Sequence, residues 1–221
     1  MCNLRTFEEV TAQLPLRDRK KAATRTALSD AAVRLARTVG VDAVTADAIA
    51  AEAGVSTRTF HNYFPSKEEA ILYRSETEGT AWAAQLRARP VDEPIWDSLE
   101  QVVVGIVTDP ARDLDETFAV MALVEDSPAL LARKLEVHGR VSRILGEAIA
   151  DRTGTDVDND LYPNLLQMVA AAAAKAAIDL WMQGNTGHDT PAPLVAAAFT
   201  QLRAGIPQPV ATVPAPRSVQ S

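Results

Sequence analysis

A single cysteine, Cys2, stands in a chain of 221 residues, so no disulfide within the chain can hold the fold together, and a reducing compartment is compatible. Histidine is almost as scarce. His61, His138 and His188 lie far apart and form no metal-ligand spacing with the cysteine. GxSxG, P-loop, HExxH and GxGxxG patterns are all missing. The acidic group Asp113, Asp115 and Glu116 reads as the solvated start of a helix rather than a catalytic pair. Catalysis, metal binding and a cofactor therefore have no support, and no enzyme is expected. The longest strongly apolar run, Met168 to Ala174, stops at Lys175, and Glu8 and Glu9 occupy the place where a secretory signal would need apolar residues. A cytoplasmic protein with no membrane span is expected.

Aromatic residues are only 5% of the chain while hydrophobic residues reach 47%, much of it in alanine-rich runs with little strand-like alternation. The fold class that follows is all-α. Helices are expected at about 17–39, 45–53, 56–62, 66–88, 95–108, 113–125, 128–152, 158–183 and 191–204, about nine in all. The breaks between them are Gly40, Gly54, Pro65, Pro90 with Pro94, Asp109-Pro110, Ser127-Pro128, Thr153-Gly154 and Gly184 to Pro191. Residues 1–16 read as a loose leader, and 205–221, with prolines at 207, 209, 214 and 216, as a disordered tail.

The net charge of −7 is unevenly spread. Up to Arg74 the balance is +2, and the remainder carries −9, so the two parts face different partners. Arg17, Arg19, Lys20, Lys21 and Arg25 accompany only Asp18, a local basic footprint suited to phosphate.

Residues 45–69 explain that footprint. Val44, Ala48, Ile49 and Ala53 form one inward stripe, Gly54 follows where a left-handed turn residue is needed, and Val55 re-enters the core. Ser56 caps a second helix anchored from beneath by Phe60, and Ser66 to Glu69 fits a capping box after Pro65. This is a helix-turn-helix, braced from behind by Leu28, Ala31, Ala32, Leu35, Ala36 and Val39 of the first helix. Arg58 is the expected base reader, because a guanidinium spans the two acceptors of guanine. Thr57 and His61 offer shorter contacts, and Thr45, Thr59 and Asn62 complete the groove-facing set. Tyr63 and Lys67, the latter near a helix N-terminus, suit phosphate oxygens, as do Arg19, Lys20 and Lys21.

The run AIAAEAGVSTRTFHNYFPSKEEAIL resembles the DNA-binding signature of TetR-family transcriptional regulators: Gly54, Val55, Ser56, Tyr63, Phe64 and Lys67 fall at the family's spacing. His61 departs from it, standing where the family more often has an aromatic residue that touches the DNA backbone. The resemblance implies a three-helix head at 17–75, a ligand-binding and dimerisation domain at 76–204, a homodimer paired through its last two helices, and double-stranded DNA with an inverted repeat as partner. It also implies repression relieved by a small-molecule effector. Residues 121–183 are similar to ligand domains that bind acyl-CoA-like molecules. Trp82, Trp96, Phe118, Met121, His138, Leu165 and Met168 are the expected ligand contacts. The helix 66–88, with Lys67 at the head and Trp82 and Leu86 near the chamber, is the expected mechanical link, tilted by a ligand lodged between Trp82 and the Phe118–Met121 helix. A helical carrier or enzyme with a vestigial head is the alternative.

Overall fold

The computed structural model describes residues 16–110 and 127–206, together with Val120 and Leu123; among them all regular structure is α-helical. Eight helices follow in order: α1 Leu16–Val39, α2 Ala46–Glu52, α3 Thr57–Tyr63, α4 Lys67–Arg87, α5 Ile95–Val107, α6 Pro128–Thr153, α7 Leu161–Met182 and α8 Ala192–Arg203. Residues 1–15 of the leader, all of the helix expected at 113–125 except Val120 and Leu123, and residues 207–221 of the tail lie outside the described residues.

The helix starts obey side-chain chemistry. Thr45, Ser56 and Ser66 each sit in extended backbone and accept from the amide three residues on, giving α2, α3 and α4 their N-caps. Glu69 does not return the favour to Ser66. Its carboxylate is taken by Arg133, so the expected capping box is only half formed. Gly54 turns the chain between α2 and α3 at φ +68°, a conformation costly for any residue carrying a Cβ. On α1, Leu28, Ala31, Ala32, Val33 and Ala36 are buried. Val39, expected inside, is exposed because it is the last helical residue before Gly40, whereas Val33 is covered because α1 packs on both α2 and α4. α7 starts three residues later than expected. Carboxylates of Asp156 and Asp160 bond the backbone amides of Asp158 and Asp156, an arrangement that competes with a helical start.

Two hydrophobic clusters divide the interior. The first joins α1, α2, α3 and the start of α4 around Leu28, Ile49, Phe60, Phe64 and Ile71, and it reaches onward to Leu130 and Val137 of α6. The second gathers Leu86 of α4, Leu99 and Val102 of α5, Ile149 of α6, Leu166 and Ala170 of α7, and Val195 and Phe199 of α8. α4 contributes to both. It runs parallel to α6, and Glu69–Arg133, Glu76–Arg140 and Arg87–Asp151 are ion pairs that all span 64 residues of sequence. Where the two helices cross, Gly79 lies so close to Val141 that a Cβ would come within 2.6 Å of a valine methyl. Past the end of α4, the Arg152 guanidinium donates to the carbonyls of Leu86, Pro90 and Glu93. Hydrogen bonds from Arg89, and then from Ser98, hold the Glu93 carboxyl down to about 2. This pins the turn that sends α5 back along the core.

α7 is the one described helix long and apolar enough to cross a membrane. One face is already occupied: Leu166, Ala170, Ala173 and Ala177 are buried in the second cluster against the protein's own helices. Its other face leaves Leu161, Leu165, Met168 and Leu180 between 48% and 75% exposed, with Ala172 and Ala176 exposed between them. That spacing of three and four makes a continuous outward apolar stripe.

Candidate functional site

On α3, Phe60 is completely buried, so helical geometry turns Arg58, His61 and Asn62, spaced by three and one, to the outside. All three are exposed and share one face. The His61 ring meets the edge of Phe60 with centroids 5.3 Å apart, which seats it beside the anchor. Thr57 and Thr59 are half-buried and already engaged: the Thr57 hydroxyl donates to Asp47 at 2.5 Å, tying α3 to α2, and the Thr59 hydroxyl shares a 2.8 Å bond with Ser56. Thr45 uses its oxygen as the α2 cap while remaining exposed. Tyr63 is half-buried against the first cluster. Arg19, Lys20 and Lys21 lie exposed on the first turns of α1.

Lys67 requires a correction. Its ammonium does not point to solvent for a phosphate; it donates to the carbonyls of Val41 at 2.8 Å, Val44 at 3.0 Å and Asp42 at 3.3 Å. Three carbonyls of the α1–α2 connection converge there, and a flexible cation with three donors is the group that satisfies them. Lys67→Ala is accordingly expected to destabilise the fold by about 1.5–3 kcal/mol and to leave the salt slope of DNA binding unchanged. Thermal denaturation and a salt titration of DNA affinity check this; a slope reduced by about one unit with an unaltered melting temperature would restore the phosphate role.

The expected ligand residues do not form one chamber. Trp96 of α5 and Leu165 of α7 line a cavity of about 260 Å³ together with Tyr162, Leu166, Val169, Leu202 and Ile206. Its walls are almost entirely apolar, and the Trp96 ring meets the buried Phe199 edge-on with centroids 6.2 Å apart. Trp82 is half-buried against the second cluster and is not part of that lining. His138 is exposed, because it lies one residue, or about 100°, from the buried Val137 on α6. Met168 is 66% exposed: the inward face of α7 belongs to Leu166 and Ala170, and a residue two positions from each points away. Phe118 and Met121 lie outside the described residues. Of the lining residues missed in the sequence, Tyr162, Leu166 and Val169 recur with Leu165 at helical spacing, a stripe that was visible but indistinguishable from ordinary core, while Leu202, Gly205 and Ile206 come from the end of α8 and just beyond it, where nothing local marks them.

Two family models match separate parts of the chain. Residues 28–72 match the family model described as bacterial regulatory proteins, tetR family. Residues 93–207 match the model described as the MftR C-terminal domain. The HTH-type transcriptional regulator TcmR of Streptomyces glaucescens is 34% identical over 176 residues, covering 75% of this chain and 76% of that protein. Among solved structures, the fatty acid degradation regulator FadR from Bacillus halodurans superposes with a TM-score of 0.55 at 19% identity, over 84% of this chain and 97% of its own. Thermus thermophilus FadR, a transcriptional repressor in complex with lauroyl-CoA, gives 0.54 at 20% identity, over 86% and 98%. At those identities the two structures speak for the fold.

Proposed function

We propose, for a chain that belongs to the TetR family of transcriptional regulators, a homodimeric repressor that binds an inverted-repeat operator and leaves it when a small apolar or acyl-type molecule enters the ligand domain. The protein acts in the cytoplasm, on double-stranded DNA, and is not an enzyme. The division falls near residue 75, between a DNA head and a ligand and dimerisation domain that continues to about residue 204.

The observation that carries this reading is the coexistence of a groove-sized polar face, Arg58, His61 and Asn62 on α3, with an apolar cavity of about 260 Å³ between α5, α7 and α8. Each has a distinct task. In the DNA complex Arg58 reads a base pair, His61 and Asn62 flank it, Thr45, Thr57, Thr59 and Tyr63 approach the groove wall, and Arg19, Lys20 and Lys21 neutralise phosphates. The outward stripe of Leu161, Leu165, Met168 and Leu180 supplies the dimer contact. Two heads then meet half-sites about 34–36 Å apart or a multiple of it. Leu165 belongs to the stripe and also to the cavity wall, so a ligand that moves it alters how two subunits meet. The cavity lies just under the usual range of about 300–1,000 Å³ for small-molecule sites, which favours a compact apolar molecule or one acyl chain. The lauroyl-CoA held by Thermus thermophilus FadR makes acyl-CoAs the first probes.

Selection of bound fragments from random DNA, with and without a panel of acyl-CoAs and other hydrophobic molecules, tests both halves. An inverted repeat should emerge, and one class of molecule should reduce its recovery. Arg58→Ala should cost ~1–3 kcal/mol and relax preference at one base pair, while Leu202→Trp, which fills the cavity, should keep DNA binding and lose the response. Equal retention of random and selected DNA would overturn the reading.

A further inference from the structure

One carboxylate is held at the start of the recognition helix, where DNA phosphates repel negative charge. Asp47, the second residue of α2, is exposed, and its Oδ1 accepts the Thr57 hydroxyl at 2.5 Å. Thr57 opens α3, so the bond fixes the carboxylate beside the turn of a helix-turn-helix that contacts base edges. No cation neutralises it. Among the described residues Asp47 makes no ion pair and no second hydrogen bond, and Arg58, next to Thr57, makes none either. An acid in the first turn of a helix is ordinarily explained by the helix dipole. A dipole, however, asks for no particular side-chain direction, and here a bond from the neighbouring helix imposes one.

Counting donors and acceptors says what this pair can meet. The Thr57 proton is committed to Oδ1, which leaves the hydroxyl oxygen with lone pairs only, and a carboxylate likewise carries nothing but lone pairs. Everything the pair presents outward accepts. In the major groove guanine shows O6 and N7 and thymine shows O4, all acceptors that a carboxylate repels, while adenine sets its amino group beside the N7 acceptor. Cytosine alone shows an amino donor with no acceptor next to it. Resting on the reading of α3 as the DNA-reading helix, we propose that Asp47 is a specificity-determining residue that selects cytosine, at a base pair separate from the one read by Arg58. Thr57 is the positioning residue that holds the carboxylate for it. The same charge works against other sequences, because without a cytosine amino group to meet it faces acceptors and phosphates.

Asp47→Asn is the discriminating variant, since it keeps the shape and still accepts from Thr57 through its amide oxygen. Its NH2 group then takes the outward place, and an acceptor becomes a donor. Fragments selected from random DNA by the wild-type chain should carry cytosine at one position of each half-site. Those selected by Asp47→Asn should carry guanine or thymine there, with the position read by Arg58 unchanged. On the wild-type sequence the variant should lose roughly 5- to 150-fold of its preference over random DNA, and its affinity for random DNA should rise. Asp47→Ala should lose the preference and gain no other; Thr57→Val should weaken it, and Thr57→Ser should keep it. A residue that only ties α3 to α2 would instead lower affinity for every sequence alike. The proposal is overturned if wild type and Asp47→Asn select the same base, or if selected and random DNA lose affinity equally. Should the wild-type chain enrich no sequence at all, the DNA-reading role of α3 fails first, and the cytosine contact falls with it.

Discussion

Phe60→Ala is expected to abolish operator binding and to cost about 3–5 kcal/mol. Phe60 is completely buried, packs 6.0 Å from the ring of Phe64, and is the only fully enclosed side chain that α3 contributes to the first cluster. A helix of seven residues has no independent stability in water, since nucleation consumes most of what its few hydrogen bonds return. Without the anchor, Arg58, His61 and Asn62 lose the surface that aims them. The second cluster, around Leu86, Ile149 and Phe199, shares no residue with the first, so its helices should outlast the head. Amide hydrogen exchange should then show lost protection in α2 and α3 with α7 and α8 still protected. Wild-type DNA affinity in a well-folded Phe60→Ala protein would remove Phe60 as the anchor.

Gly79→Ala is expected to lower operator affinity as well as stability, because it acts where α4 packs tightly against Val141 of α6. The added Cβ would lie 2.6 and 2.8 Å from the two Val141 methyl carbons and 3.2 Å from the Val141 Cβ. A β-branched side chain has little freedom to swing aside, so the helices must part, at a cost of about 1–3 kcal/mol. The ion pairs at Glu69–Arg133 and Glu76–Arg140 flank the head side of this crossing and Arg87–Asp151 the far side. A wedge between them should tilt α4 and shift the heads, lowering operator affinity in the absence of any effector. For the effector itself, a coupling of ~1.4–3 kcal/mol to DNA binding corresponds to a 10- to 150-fold loss, and linkage requires DNA to weaken effector binding by the same factor; Gly79→Ala should reproduce part of that loss with no effector present. Val141→Ala in the same chain should recover both stability and affinity. If Gly79→Ala melts like the wild type, or the double variant recovers nothing, the close approach is not what holds α4 in place.

What the amino-acid sequence determined by itself was everything set by neighbours in the chain. The caps Ser56 and Ser66, the left-handed Gly54, the buried Phe60 and the helical periodicity of α1 depend on residues within a turn or two, and their positions were legible in the sequence; the Thr45 cap of α2 is just as local, yet the residue was read as facing the groove. The outward face of Arg58, His61 and Asn62 follows from the same local geometry. Tertiary structure alone decided the partners. A lysine at a helix start reads as a phosphate ligand until the carbonyls of Val41 and Val44, more than twenty residues earlier, are brought around it. Glu69 has the spacing of a capping box, yet Arg133 from α6 takes its carboxylate, since a guanidinium is the stronger donor for a charged oxygen. His138 and Met168 could be read as ligand contacts because apolar and polar positions on a helix say that one face is inside, and not which of two packed neighbours will cover it. The pairing of α4 with α6 is of this kind too: its register of 64 residues is carried by contacts that no local pattern records, and the path between head and core runs through it.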